Sequence, residues 1–149
     1  MKIKMILLFA SLFFGGITVL KAQAPTHIPL LNDTWRLIAQ RTYKKNENYK
    51  MVPAFPPKLK ALEQTEVELS GYIIPLKAEM EYQNFMLAVV PYDQCPYCGQ
   101  GDVPSMIEVV VTDPVRHSDK PVKIRGKLVL NETGDNRSEV FLVSARVVK

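Results

Sequence analysis

From Glu66 onward the apolar and polar positions alternate with a period of two. In "EVELSGYII" Val67, Leu69, Gly71 and Ile73 fall on one face, and Glu66, Glu68, Ser70 and Tyr72 on the other. That is a half-buried strand, ended by Pro75. "PVKIRGKLVL" repeats the pattern, with Val122, Ile124, Gly126 and Leu128 inward and Lys123, Arg125 and Lys127 outward. "NFMLAVVP" and "MIEVVVT" are more continuously apolar, which predicts strands covered on both faces. "EVFLVSARVV" closes the chain after "NETGDNRS", a polar turn with Gly134 at its tip. Within that turn, Asn131 and Asn136 have N-glycosylation spacing, which matters only in a eukaryotic secretory host.

Before the strands the period differs. In "NDTWRLIAQRTYKK" Asn32 or Asp33 can cap a helix, and Trp35, Ile38, Ala39 and Thr42 share one face, predicting a helix over 32–45. Trp35, the only tryptophan, reads as a plug against the sheet. Prolines at 53, 56 and 57 make 46–60 an extended strap anchored by Phe55. Five strands at short spacing, with Gly71 and Gly126 where a closing sheet must bend, predict a mainly β fold. The expected architecture is a five-stranded antiparallel OB-like barrel (66–148) preceded by one N-terminal helix. An open antiparallel sheet with the helix on one face is the alternative. Residues 32–149 form a single domain in this reading, behind a flexible lead, 23–31.

Residues 1–22 stand apart. Lys2 and Lys4, an apolar run from Met5 to Leu20, then Ala22 and Ala24 have the layout of a secretory signal peptide, with cleavage after Ala22. No cysteine lies near that point, so a lipid-modified N-terminus is not expected. An uncleaved anchor is the other reading, although the run is short for a span of about 20 residues. The net charge of +4 then changes meaning, because Lys2, Lys4 and Lys21 supply three charges. The mature chain, expected to be periplasmic or extracellular, is nearly balanced. Neither a nucleic-acid surface nor membrane insertion after signal removal is expected.

The only two cysteines, Cys95 and Cys98, form a Cys-Pro-Tyr-Cys sequence between two apolar runs. Glutaredoxins carry such a motif at a helix N-terminus. Here "GQGDVPSM" follows, with two glycines and a proline, and no strand–helix–strand alternation surrounds it. Three readings remain open. One is a local disulfide, which closes too small a loop to stabilise much. A second is thiol–disulfide chemistry, with Cys95 as attacking thiol and Cys98 resolving. The third is a metal site, in which Cys95 and Cys98 bind zinc or copper with Asp102, Asp135 or His27, supported by Tyr92, Tyr97, Gly99 and Gly101. His117 is a poor candidate for that set because the strand 106–112 places it about 20 Å away, in a loop facing water.

No catalytic constellation stands out: no Ser/His/Asp spacing, phosphate-binding glycine loop or carboxylate pair. Asp93 and Asp102 read as loop acids facing water. Tyr72, Tyr82, Tyr92 and Tyr97 could make a stacking platform, but no basic groove accompanies them.

The order of Trp35 and Ile38, Phe55 in a Pro-rich strap, "GYIIPL", "LAVVPY", the cysteine loop and "IEVVV" resembles an uncharacterised family of small exported bacterial proteins, a domain of unknown function. The resemblance covers about Trp35 to Val148. It implies a setting beside ABC-type transporters, some linked to metal uptake, and hence a membrane transporter component as partner. The resemblance also implies that many relatives carry Cys-x-His in this loop after the same Val-Pro-Tyr, followed by a proline run. This chain has Cys-x-x-Cys and glycines instead. A cysteine–histidine exchange suits metal ligation and not a disulfide, so the resemblance favours the metal-binding reading; it supplies a context and no reaction, and a non-enzymatic module is the expectation.

Overall fold

The computed structural model describes residues 30–91, 105–135 and 137–148. In chain order these form α1 (Asp33–Ala39), β1 (Thr42–Lys45), β2 (Met51–Ala54), α2 (Pro57–Lys60), β3 (Glu66–Pro75), β4 (Glu81–Ala88), β5 (Met106–Arg116), β6 (Val122–Leu130) and β7 (Val140–Val148). Strands β3 to β7 close a barrel in the order β3-β4-β5-β7-β6, and β1 and β2 make a separate hairpin. The OB-like barrel expected from the alternation is present. Its strands are not all antiparallel, however, because β5 and β7 pair in parallel. Because β3 pairs antiparallel with β4 and β6, β4 with β5, and β6 with β7, inserting β7 between β5 and β6 sets it parallel to β5.

Closure depends on β3 serving two partners. Glu66–Gly71 pairs with β6 and Tyr72–Pro75 with β4. The handover falls at Gly71, where a Cβ would lie 2.7 Å from Leu87 Cγ and 2.8 Å from Ala88 O. The other mid-strand glycine, Gly126, faces β7, and a Cβ there would lie 2.8 Å from Ala145 Cβ. Both neighbours of β7 shift register there, around an extra residue beside Ser144, whose φ is 49°. Such a bulge bends the strand and sharpens the twist that closes a small barrel.

One core fills the barrel and extends under α1 and α2, with Trp35, Ile38, Leu59, Leu69, Phe85, Ile107 and Leu142 fully buried. Asn32 caps α1 by accepting from Trp35 N–H at 2.9 Å. The Trp35 indole N–H donates to Ser70 O at 2.9 Å, so the plug is also hydrogen-bonded to β3.

Three expectations are corrected. The helix ends at Ala39, and Thr42–Lys45 is strand. The 46–60 strap contains β2 and one turn of helix, and Phe55 is buried as its anchor. Pro53 can occupy a strand because β2 belongs to a two-stranded sheet. Finally, β5 runs eleven residues and carries Pro114 within a shift in its pairing with β4. No helix among the described residues is long and apolar enough to cross a membrane.

Candidate functional site

Alternating strand direction sorts the connections. Segments 89–105 and 131–139 emerge at one end of the barrel, 76–80 and 117–121 at the other. The cysteine segment leaves from a closed neck. Ala88 pairs with Met106, Val89 N–H donates to Ser105 O at 3.3 Å, and Leu30 N–H donates to Val89 O at 3.1 Å. Cys95, Cys98, Asp102, Tyr92, Tyr97, Gly99 and Gly101 lie outside the described residues, as do His27 and residues 1–22.

Asp135 is the one predicted ligand that can be located, in the 131–139 turn at the cysteine end. Its Oδ1 accepts from Asn131 Nδ2 at 2.8 Å and from Arg137 N–H at 3.2 Å. The Asn131 hydrogen bond, helped by Arg137 N–H, holds this carboxyl below the ordinary aspartate range. It stays ionised, with one oxygen already committed to the turn. Asn131 Nδ2 donates also to Ser138 O, so a glycan on that nitrogen would dismantle the same turn.

The outer face of β4 and β5 departs from expectation. Both strands read as covered on two faces, yet Asn84, Met86, Met106, Glu108 and Val110 point outward, half-buried or exposed. Met86 faces Glu108 across the pair and Ala88 faces Met106. The two thioethers are therefore diagonal neighbours on one face, within about 8 Å backbone to backbone. Asn84 Nδ2 donates to Glu108 Oε1 at 2.9 Å and leaves the methionines between that bond and the neck.

Met86 and Met106 floor a recess of about 220 Å³ walled by Arg41, Tyr43, Arg137 and Glu139. Glu139 organises it, taking Arg41 Nε–H on Oε2 at 2.6 Å and the Tyr43 hydroxyl on Oε1 at 2.7 Å. That phenol bond, with partial burial and the carboxylate's own charge, raises Tyr43 above the usual tyrosine pKa despite Arg41. Behind the wall, the Arg137 guanidinium lies 5.3 Å from the centre of the Phe141 ring. Sequence alone does not single out either methionine. The available signal was a flexible thioether where strands favour β-branched residues.

A second groove, of about 850 Å³, runs along the outer half of β3 past Tyr72, Ile74, Leu76, Pro91, His117 and Lys120. His117 directly follows β5. Its Nε2 lies 3.1 Å from Asp119 Oδ1, and its ring meets Tyr82 edge-on at 6.3 Å. Tyr82 is only 6% exposed, so it packs in the core and offers no face for stacking.

Among the described residues no three His, Cys, Asp or Glu side chains gather as a metal site. No buried side-chain nitrogen or oxygen among them lacks a hydrogen-bond partner. No family model matches the chain, and comparisons with curated proteins and solved structures also return no match. At the barrel end from which the cysteine segment leaves, the described residues present two thioethers, the Glu139 carboxylate bound to Arg41 and Tyr43, and the hydrogen-bonded Asp135 carboxylate.

Proposed function

We propose that this is an exported OB-like module, of the uncharacterised family it resembles, whose Cys-Pro-Tyr-Cys segment binds or hands on a soft metal ion, zinc or copper(I). In this reading it serves as an accessory to a membrane transporter. The supporting observation is the pair of outward thioethers, Met86 and Met106, at the neck from which the cysteine segment leaves. Thiolate and thioether sulfurs together select soft ions, copper(I) above all, whereas carboxylates alone would favour harder ones. Three residues, and at most about 14 Å of chain, separate Pro91 from Cys95. Thiolate sulfur is therefore tethered to the barrel end that carries the thioethers.

The test is titration of the reduced, exported chain with zinc and copper(I) against a chelator, beside a Cys95→Ser/Cys98→Ser control. One bound equivalent that disappears in the control supports the reading. Absence of binding by fully reduced protein contradicts it. The Cys-x-x-Cys spacing in an exported chain also favours a second reading, thiol–disulfide exchange. In that case the pair would have an oxidising reduction potential, well above the roughly −300 mV of a structural disulfide.

A further inference from the structure

The β1–β2 hairpin rests against the 131–139 end of the barrel through Tyr43 and Val52 and leaves its tip in water. Residues 42–51 are exposed without interruption, while Val52 and Phe55 at its base are buried. Gly134 sits so close beneath it that an added Cβ would lie 2.9 Å from Met51 O. The tip is tightly built. Asn46 Oδ1 accepts from Asn48 N–H at 3.0 Å and Lys50 N–H at 2.9 Å, and Asn46 O accepts from Tyr49 N–H at 3.0 Å. This turn holds Tyr49 at φ 57°, where glycine or asparagine would sit with less strain. The tyrosine is nonetheless there, 83% exposed, beside Met51 at 51%.

On the hairpin itself Lys44, Lys45 and Lys50 stand against one acid, Glu47. Residues 30–60 carry seven Lys and Arg against two acids, whereas residues 61–149 carry nine against thirteen. A nearly neutral chain is therefore polarised along its sequence, with Arg36, Arg41 and Lys60 ion-paired to Asp33, Glu139 and Glu132. Among the described residues, no carboxylate forms an ion pair with Lys44, Lys45 or Lys50.

We infer that the hairpin tip is a docking surface for an anionic phospholipid bilayer. Ammonium groups on long apolar stems, flanking an exposed tyrosine and a thioether, match the boundary between headgroups and acyl chains. Neither described groove is lined by Lys44–Met51, whereas a nucleic-acid backbone is tracked along a groove. The acidic remainder is repelled by the same lipid surface, which turns the hairpin toward it. The contact is adsorption at the interface, without a spanning segment, and it is independent of the metal reading.

Vesicle sedimentation tests this with the exported chain on neutral phosphatidylcholine and on phosphatidylcholine mixed with phosphatidylglycerol. Neutral vesicles report any contribution from a retained leader. Binding should require the anionic lipid and weaken as salt rises. Each lysine near such a surface contributes about fivefold, so Lys44→Gln/Lys45→Gln/Lys50→Gln should lower anionic partitioning roughly a hundredfold. Tyr49→Gly, which suits the turn's backbone, should leave thermal unfolding unchanged or raised and still reduce partitioning several-fold. Equal binding to both vesicles, unaltered binding by the lysine variant, or binding to duplex DNA without binding to vesicles would each overturn the inference.

Discussion

Arg41 Nε donates to Glu139 Oε2 at 2.6 Å across 98 residues of chain. The pair is three-quarters buried on both sides. It ties the base of the hairpin to the start of β7, directly beside Met106. Removing the charge with Glu139→Gln leaves Arg41 with a weaker acceptor in a poorly solvated place. The expected cost is about 1–2 kcal/mol, read as a lower denaturant midpoint with an unchanged slope.

The Tyr43 hydroxyl bond to the same carboxylate makes part of this stability depend on alkaline pH. Its pKa is raised in the folded protein, chiefly by that bond, so the contribution is complete below the ordinary tyrosine value of about 10. It disappears as pH rises through the folded pKa. Tyr43→Phe should therefore be less stable than the natural protein at neutral pH, and the difference should vanish at strongly alkaline pH. Denaturation midpoints measured across that range check it.

Glu68 gives the opposite sign. Arg125 and then Lys123 hold its carboxyl below the ordinary range. The stability it supplies is present above the unfolded glutamate pKa and is lost as pH falls through the lower folded value. In an acid titration Glu68→Gln should thus converge with the natural protein only at the low-pH end.

Gly126 and Ala145 are matched in size across the β6–β7 pair. A methyl on Gly126 would lie 2.8 Å from Ala145 Cβ and 2.9 Å from Leu142 Cγ. Gly126→Ala should destabilise by about 1–3 kcal/mol through overpacking. Adding Ala145→Gly should recover part of that loss, giving a coupling of at least about 0.5 kcal/mol in a double-mutant cycle.

Much of this fold was legible in the sequence. The alternation of Val67, Leu69, Gly71 and Ile73, and that of Ile124, Gly126 and Leu128, reports which face is buried, and Gly71 and Gly126 mark where the sheet bends. Alternation does not report which strand lies alongside, so the parallel β5–β7 pair could not be seen. Thr42 continued the helical spacing of Trp35 and Ile38, yet β1 gains backbone hydrogen bonds from β2 that a longer α1 would forgo. Pro53 argued against a strand, but its missing N–H costs nothing at the edge of a two-stranded sheet. At the site, the topology placing Asp135 at the cysteine end was legible from strand counting. Met86 and Met106 were hidden in runs whose apolar character resembles core.

The thioethers give the metal reading a selective consequence. Met86→Leu/Met106→Leu conserves volume and removes only the soft donors. It should weaken copper(I) binding about tenfold and leave zinc binding within about twofold, because zinc draws mainly on thiolates. Competition titrations with each ion measure the two effects separately.

The most direct measurement is X-ray absorption at the zinc edge of the reduced chain carrying one equivalent of zinc. At least two sulfur neighbours at about 2.3 Å are expected, both lost in Cys95→Ser/Cys98→Ser. A first shell made only of nitrogen and oxygen, or the same shell in the control, would contradict a cysteine metal site.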